Sequence, residues 1–351
     1  MRYRQLGRTG LLVSELGLGT FTFGEKTGAE KYDRVAGLDQ EAANGLVRAA
    51  FQSGVNLIDT ADIYCFGRAE EIVGQALQDL GIARKDVVIA TKCYNPVGAG
   101  PNDRGASRGH IMDSVEASLR RLKTGHIDLY QIHAHDPITP LDETLRTLDD
   151  LVSQGLVRYV GCSNWPAWRV SKALGICERR GFARLDSTQV YYSLAGRDIE
   201  REIAPMAAEE GVGILVWSPL AGGALSGKFE PGSSTGEKPE GRRSGGYNFP
   251  PVDGGRASRC IAVMRDIAAR HDCGVATVAL AFILSRPFIT SVLIGAKRLD
   301  QLQQNLAAAN LELDAEDLCR LDDVSRLPAE YPGWIVDRQG ARRWPGVDGS
   351  V

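Results

Sequence analysis

Four ionisable residues follow or end short apolar segments of this chain. Asp59 ends the segment Asn-Leu-Ile-Asp, Lys92 follows Ala-Thr, His133 ends Leu-Tyr-Gln-Ile-His, and Tyr64 lies five residues after Asp59. If they meet, Asp59 can hold and neutralise Lys92, and the Lys92 ammonium lowers the pKa of Tyr64 from about 10. A tyrosine tuned in this way can protonate a carbonyl oxygen, and His133 can share that task or align the carbonyl. Any one of the four alone is explained by a polar residue that stops a strand, whereas the four together predict an acid–base site.

The elements around these residues alternate between short apolar runs and amphipathic stretches. The predicted strands are Leu16–Gly19, Asn56–Asp59, Val87–Thr91, Ile127–His133, Val157–Ser163, Ser187–Tyr191, Gly213–Trp217 and Ser291–Ile294. The predicted helices are Gln40–Ser53, Glu70–Leu80, His110–Leu122, Leu141–Ser153, Trp168–Arg179, Ile199–Glu209, Ala257–Ala268 and Leu299–Ala309. Strands that alternate with helices form parallel crossovers. Eight such units favour a closed (β/α)8 TIM barrel over a doubly wound sheet, because a barrel leaves no edge strand.

The 351 residues are predicted to form one domain, 1–351. Residues 1–13 read as a β-hairpin around Gly-Arg-Thr-Gly, residues 14 to about 325 as the barrel, and 326–351 as a tail. The stretch 221–255 is rich in Gly, Ser and Pro and predicts a mobile loop over the active face after the seventh barrel strand. The C-terminal segment is expected over the same face.

Composition excludes several classes of function. Lys and Arg number 41 and Asp and Glu 44, a net charge of −3, so neither nucleic acid nor an anionic membrane is expected as a partner. The apolar run Val275–Leu284 is about half of the roughly 20 residues that span a bilayer, and Arg8, Ser14 and Glu15 interrupt any signal-peptide core. A cytoplasmic location is therefore expected. The 7 cysteines include no Cys-x-x-Cys pair, which indicates reduced thiols.

Three other motifs compete with the acid–base site. Residues 222–228 read Gly-x-x-x-x-Gly-Lys, but Phe229 follows where a phosphate-binding loop needs a hydroxyl. Gly17-x-Gly19 lacks the third glycine of a dinucleotide fingerprint. His133 and His135 could face one metal ion, yet no third ligand is placed beside them, so no metal site is predicted.

Further motifs accompany the four ionisable residues. They are Gly-Leu-Gly-Thr (17–20), Asp-Thr-Ala (59–61), Gly-Cys-Ser-Asn (161–164), Gln189, Trp-Ser-Pro-Leu (217–220), and Gly-Ala (295–296) with Gln301 and Asn305. From the hairpin to about residue 325 the chain thus resembles the aldo-keto reductase superfamily, whose catalytic tetrad is this Asp, Tyr, Lys and His. It resembles the potassium-channel β-subunits more distantly.

The resemblance implies a nicotinamide dinucleotide, NADPH, extended across the barrel mouth. It places Ser163, Asn164 and Gln189 on the carboxamide, Trp217 on the nicotinamide ring, and the adenosine 2′-phosphate beside Lys297 and Arg298, where many relatives carry a small hydroxyl residue in place of Lys297. The complete set of cofactor-binding residues implied is Gly19, Thr20, Phe21, Asp59, Ser163, Asn164, Gln189, Trp217, Ser218, Pro219, Leu220, Gly222, Gly223, Lys228, Gly295, Lys297, Arg298, Gln301, Gln304 and Asn305.

Two functions of different classes stay open at this point. An NADPH-dependent reductase would act on a small aldehyde or ketone, or oxidise an alcohol in reverse, with Tyr64 as proton donor. A regulatory protein like the channel β-subunits would bind the cofactor with little turnover, and a barrel with unrelated chemistry is a third reading. The candidates for the substrate wall are Phe21, Phe23, Phe66, Tyr94 and Trp165 with the loop and the tail. The sequence predicts neither the substrate nor the oligomeric state.

Overall fold

Eight parallel strands close into a barrel in this computed structural model, which describes residues 1–26, 35–228, 243 and 248–343. The strands are β3 (Leu16–Gly19), β4 (Leu57–Asp59), β5 (Val88–Cys93), β6 (Ile127–Ile132), β7 (Val157–Ser163), β8 (Leu185–Tyr191), β9 (Gly213–Trp217) and β10 (Ser291–Ile294). Neighbours along the chain pair in order, and β10 closes the barrel between β9 and β3. The predicted (β/α)8 barrel is confirmed.

Helices surround the barrel and follow its strands. They are α1 (Gln40–Gln52), α2 (Arg68–Asp79), α3 (Arg108–Leu122), α4 (Leu141–Ser153), α5 (Ala167–Arg180), α6 (Ile203–Glu210), α7 (Gly254–Arg270), α8 (Val275–Leu284), α9 (Leu299–Leu306), α10 (Ala315–Ser325) and α11 (Gly333–Arg343). Aspartate or serine side chains cap four of them at Asp39, Ser107, Asp253 and Asp314. Such caps satisfy amide groups that a helix leaves unpaired in its first turn.

An antiparallel hairpin closes the bottom of the barrel. It consists of β1 (Tyr3–Gln5) and β2 (Leu12–Ser14). Leu6 and Val13 from this hairpin are fully buried in one cluster with barrel residues from β4, β5, β6, β9 and β10. Because the hairpin plugs the end at which strands begin, the opposite end, where strands finish, is the one open to a ligand.

Four helices, α6, α8, α10 and α11, differ from the sequence-based prediction. Helix α8 was predicted only as an apolar run, and Thr277–Leu284 within it are all buried, so no polar face marks a helical period. Helices α10 and α11 lie beyond the last predicted helix. The helix predicted over Ile199–Glu209 is α6, which begins later, at Ile203, after a short 3₁₀ turn over Asp198–Glu200.

No single helix in the described part of the chain is long and apolar enough to cross a membrane, and α7 and α8 meet that test only as a pair bent by 98°.

The long loop and the tail are described in part. Residues 229–242 and 244–247 of the predicted 221–255 loop lie outside the described residues, as do 344–351 of the tail. A 3₁₀ turn, Ala221–Ser226, opens the loop. In the tail, Glu330 pairs with Arg201 at 2.7 Å.

A substitution at Gly7 tests the close contact between the N-terminal hairpin and the barrel. The φ of Gly7 is +57°, and an added Cβ would lie 2.4 Å from the Asp186 carbonyl oxygen at the start of β8. We expect Gly7→Ala to lower the free energy of unfolding by about 1–3 kcal/mol, because the backbone must shift and adopt a strained conformation. Urea denaturation measures this loss. Gly10→Ala in the same turn is the control, since nothing lies within 4 Å of its added Cβ; an equal loss in both variants would contradict the close contact.

Candidate active site

The four ionisable residues meet at the open end of the barrel. Asp59 is the last residue of β4, Lys92 lies near the end of β5, and His133 directly follows β6. Tyr64 begins a 3₁₀ turn, Tyr64–Gly67, in the loop after β4. Parallel strands of a barrel end on the same face, so residues from three consecutive strands converge there.

A buried ion pair forms the base of this site. Lys92 Nζ donates to Asp59 Oδ2 at 2.6 Å and to the Thr60 carbonyl oxygen at 2.7 Å. The two side chains are 0% and 4% exposed. Burial by itself lowers the pKa of Lys92, but Asp59 and Tyr64 outweigh it, so the pKa lies above its usual value. The ammonium therefore keeps its charge across neutral pH.

Tyr64 lies directly above this ammonium. Lys92 Nζ is 5.2 Å from the centre of the Tyr64 ring, and the interaction with Tyr64 helps to raise the pKa of Lys92. The ring packs against Phe21 at 4.8 Å and meets His133 edge-on at 5.8 Å. A positive charge at the phenol oxygen stabilises the phenolate, which is the form that remains after a proton leaves.

A tight turn fixes the backbone after Tyr64. Cys65 and Phe66 have φ values of 46° and 55°, a left-handed conformation that costs of order 1–3 kcal/mol at non-glycine residues. Gly24 passes directly over this turn, since a Cβ there would lie 2.8 Å from the Cys65 Cβ. Packing from a separate loop thus holds a strained turn that aims Tyr64.

Asp62 lies behind the ion pair. Its backbone amide donates to the Lys92 carbonyl oxygen at 3.1 Å. Burial and the neighbouring Glu70 raise the pKa of the Asp62 carboxyl well above its usual value. The Asp62 carboxyl therefore holds a proton more readily than an ordinary aspartate does.

A second chain of hydrogen bonds extends from Asp59 across the barrel. Gln189 Nε2 donates to Asp59 Oδ1 at 2.7 Å. Ser163 Oγ donates to the Gln189 carbonyl oxygen at 2.9 Å, and Asn164 Nδ2 donates to Ser163 Oγ at 2.9 Å. Trp217 Nε1 completes the chain by donating to Asn164 Oδ1 at 2.9 Å. The predicted carboxamide-binding residues thus form one connected polar wall.

A cleft of about 1180 Å³ lies at this end of the barrel. Every residue predicted to bind the cofactor lines it, together with Tyr64 and His133, whereas Lys92 lies behind its wall. The other lining residues, which are not among the predicted catalytic or cofactor-binding residues, are Thr22, Lys26, Val35, Ile63, Asn95, Ala134, Ser226, Phe249, Ala276, Leu293, Ile294 and Ala296. Asn95 lies three residues after Lys92, so its position just beyond a predicted strand is a signal that could have indicated it. Phe249 lies in a Pro- and Gly-rich stretch without hydrophobic periodicity, which gives no such signal.

Glycines shape the segment that follows β9. Gly222 and Gly223 have φ values of 65° and 95°, and the Gly222 amide donates to Ser218 Oγ at 3.0 Å. A Cβ on Gly222 would lie 2.6 Å from the Phe249 carbonyl oxygen. Glycine is therefore required here for the two parts of the loop to approach each other.

Aromatic rings surround Trp217 at the cleft wall. Phe249 stacks nearly parallel to its indole, with centroids 5.7 Å apart and an interplanar angle of 10°. Tyr191 packs at 5.2 Å with a tilt of 37°. Phe249 and Tyr191 therefore both hold the indole in place at the cleft wall.

Cations lie at the part of the cleft formed by the start of α9. Lys297 Nζ donates to the Ala36 carbonyl oxygen at 3.2 Å, and the Lys297 amide donates to Gln301 Oε1 at 3.1 Å. Arg298 forms two hydrogen bonds with the Asp300 carboxylate, at 2.9 and 2.8 Å. Asp300 thus offsets part of the positive charge at the place where the sequence predicts a phosphate.

Four of the five aromatic residues proposed as substrate walls, Phe23, Phe66, Tyr94 and Trp165, do not line the cleft. Phe23 and Trp165 are 0% and 1% exposed and belong to the hydrophobic core, and Tyr94 packs against that core. Phe21 does line the cleft, and Phe66 is exposed. Among the described residues no group of His, Cys, Asp and Glu side chains could hold a metal ion.

Known proteins are similar to this chain over nearly its full length. A family model described as the Aldo/keto reductase family matches residues 15–326. An uncharacterized oxidoreductase, YrpG, from Bacillus subtilis (strain 168) is 37% identical over 98% of this chain and 100% of its own. A probable voltage-gated potassium channel subunit beta from Arabidopsis thaliana is 34% identical over 89% of this chain and 92% of its own. Versiconal hemiacetal acetate reductase from Aspergillus parasiticus is 33% identical over 95% and 99%, respectively.

The buried ion pair can be tested through stability. Lys92→Met keeps the aliphatic stem but leaves the Asp59 carboxylate buried without its cation, so we expect the free energy of unfolding to fall by about 3–5 kcal/mol. Adding Asp59→Asn should restore much of this loss, because neither charge then remains unpaired. Chemical denaturation of the three proteins measures both effects.

The control removes a cation from an exposed pair. Arg326 and Asp323 are 72% and 63% exposed, and Arg326→Met should change stability little. If the Lys92→Met loss were as small as this, the buried pair would not have the importance assigned to it.

Proposed function

The chain belongs to the aldo/keto reductase family, whose members use nicotinamide cofactors, and we propose that it is an NADPH-dependent oxidoreductase that reversibly reduces an aldehyde or ketone to an alcohol. The family match and the relatives named as oxidoreductases or reductases support an oxidoreductase role. One observation carries the finer proposal: the buried Lys92 ammonium lies 5.2 Å from the centre of the Tyr64 ring, and Tyr64 lines the cleft that also contains the predicted cofactor-binding positions.

Tyr64 is the proposed proton donor. As negative charge develops on the carbonyl oxygen, the phenol releases its proton to that oxygen, and the Lys92 ammonium stabilises the resulting phenolate. Asp59 keeps the ammonium in place, and His133 donates a hydrogen bond that aligns the carbonyl. When bound, the nicotinamide cofactor supplies the hydride to the carbonyl carbon. In the reverse direction the Tyr64 phenolate accepts the alcohol proton.

The described residues fit a dinucleotide. Gln189 Nε2 donates to Asp59 Oδ1 at 2.7 Å and to Gln131 Oε1 at 3.4 Å, which fixes the side-chain amide whose oxygen would accept a hydrogen bond from a carboxamide. The left-handed glycines after β9 leave room for close backbone approach to phosphates. Lys228 and Lys297 add positive charge along the same cleft. Trp217 would hold the nicotinamide ring by stacking.

The proposed preference for NADPH over NADH rests on the start of α9. Lys297 and Arg298 precede a helix whose first amides favour an anion. Charge-assisted contacts to a 2′-phosphate are worth about 1.5–3 kcal/mol each. The Asp300 carboxylate opposes part of this attraction because it lies against Arg298.

A regulatory role is the second candidate function. The similarity to probable potassium channel β-subunits from Arabidopsis thaliana and rice, at 34% and 35% identity, favours it. Both functions require cofactor binding, so steady-state turnover, and not affinity, distinguishes them. The complete set of Asp59, Tyr64, Lys92 and His133 supports the enzyme. A small carbonyl or alcohol substrate and a cytoplasmic location are part of the proposal.

Tyr64→Phe tests the proton donor. Removing the hydroxyl should reduce kcat by a factor of roughly 100 or more, the upper part of the range for a positioned acid. The dissociation constant for NADPH should change little, because the proposed cofactor contacts do not use that oxygen. Turnover in an aldehyde and ketone screen and fluorescence titration measure the two effects. Tyr3→Phe, in the hairpin, is the control; near wild-type kcat in Tyr64→Phe would remove Tyr64 from this role.

The relative affinity for NADPH and NADH tests the proposed role of Lys297 and Arg298, the two cations that precede α9. Replacing Lys297 and Arg298 together with Ala should weaken NADPH by roughly tenfold or more and NADH much less. Asp300→Asn should act in the opposite direction and tighten NADPH, since it removes the competing carboxylate. Dissociation constants for both cofactors at low and high salt measure this, and screening should shrink the wild-type preference. Equal affinities of the wild type for both cofactors at low salt would refute the assignment.

A further inference from the structure

Asn95 contacts the ring of His133 at the edge of the cleft. Asn95 Nδ2 lies 3.1 Å from His133 Nδ1, and both residues line the cleft. They come from the ends of neighbouring strands β5 and β6. None of the sequence motifs described above includes Asn95.

The chemistry of the two atoms decides which of them donates. An amide nitrogen carries two hydrogens and has no lone pair to accept a hydrogen bond, so Nδ2 donates and Nδ1 accepts. A neutral imidazole whose Nδ1 accepts must carry its hydrogen on Nε2. We propose that Asn95 is a positioning residue that fixes this tautomer of His133, so that Nε2–H is the group presented to the carbonyl oxygen. This inference rests on the proposed reductase function.

Two further hydrogen bonds of His133 involve its backbone. The His133 amide donates to the Cys93 carbonyl oxygen at 2.9 Å, and Asn164 Nδ2 donates to the His133 carbonyl oxygen at 3.2 Å. These two hydrogen bonds place the residue but do not distinguish its two ring nitrogens. Tyr64 is a titratable group that faces the ring, at 5.8 Å between centroids, and the Lys92 ammonium lies 5.2 Å from the centre of the Tyr64 ring.

The loop after β5 holds Asn95 in place. The Gly105 amide donates to the Tyr94 carbonyl oxygen at 2.8 Å, and the Val97 amide donates to the Asp103 carbonyl oxygen at 3.0 Å. Pro96 follows Asn95 and restricts its backbone to extended conformations. Anchors on both sides and a restricted backbone give the amide a defined direction, as a positioning role requires.

Nitrogen NMR of the [15N]histidine-labelled protein tests the tautomer without any turnover. A His133→Gln spectrum identifies the His133 signals among the 5 histidines. At a pH where the ring is neutral, the wild type should show a hydrogen on Nε2 and none on Nδ1. Asn95→Leu should give a mixture of tautomers. Asn95→Asp should move the hydrogen to Nδ1, because a carboxylate only accepts.

Activity provides the second readout. Asn95→Leu should lower kcat about fivefold, which corresponds to the net contribution of one hydrogen bond. The dissociation constant for NADPH should stay at the wild-type value. Asn102→Leu in the same loop is the matched control, since Asn102 is exposed and does not line the cleft; it should change neither the tautomer nor kcat.

Several results separate this inference from the proposed function. A wild-type His133 with its hydrogen on Nδ1, or an unchanged tautomer population in Asn95→Leu, would overturn the role of Asn95. The expected tautomer change in a protein without turnover would support the role of Asn95 in fixing the ring and refute the reductase function.

Discussion

The geometry of the site depends on two opposite charges, on Asp59 and Lys92, that are held together at the end of the barrel with their side chains 4% and 0% exposed. Removing a lysine and an aspartate from water costs several kcal/mol each, and only short contacts and additional hydrogen bonds offset this. The barrel supplies both, because β4 and β5 pair in register, with Asp59 opposite Ala90, and because Thr60 and Gln189 add hydrogen bonds. An ion pair buried in this way has one stable geometry, and the neighbouring groups are arranged around it.

Two halves of the cleft are connected through this pair. On one side, the Lys92 ammonium lies 5.2 Å from the centre of the Tyr64 ring, so the charge of the ion pair would bear on the proposed proton transfer. On the other side, Asp59 orients Gln189, and the hydrogen bonds continue through Ser163 and Asn164 to the cleft wall. The groups that would move a proton and those that would hold a cofactor ring are therefore positioned by the same carboxylate. A change at Asp59 would disturb both functions, whereas a change at Tyr64 or at Lys297 separates them.

Most of the non-glycine residues with positive φ values lie at the open end of the barrel, where the strands finish. Non-glycine residues with positive φ values occur at Cys65, Phe66, Tyr94, Asn164, Ser218 and Ala221, in segments that follow barrel strands β4, β5, β7 and β9, and at Lys123 and Asp272, which follow helices α3 and α7. Such conformations persist only where surrounding contacts fix them. The hairpin and the helices supply stability at the other end and the outside of the barrel. The division is consistent with the general behaviour of this fold, in which one face carries stability and the other carries chemistry.

The sequence by itself determined the barrel, several strand boundaries, such as Val157–Ser163 and Gly213–Trp217, and the strand ends that carry Asp59, Lys92 and His133. These features depend on alternation of apolar and polar residues over a few positions, which is local information. Helix α8 was missed because it is apolar on nearly all sides. Only the tertiary structure decided that Asn95 contacts His133, 38 positions away, that Phe249 stacks on Trp217, and that Phe23 and Trp165 are buried in the core. Contacts of this kind depend on how loops pack over a closed barrel, and no periodicity within a loop encodes which distant side chain it will meet.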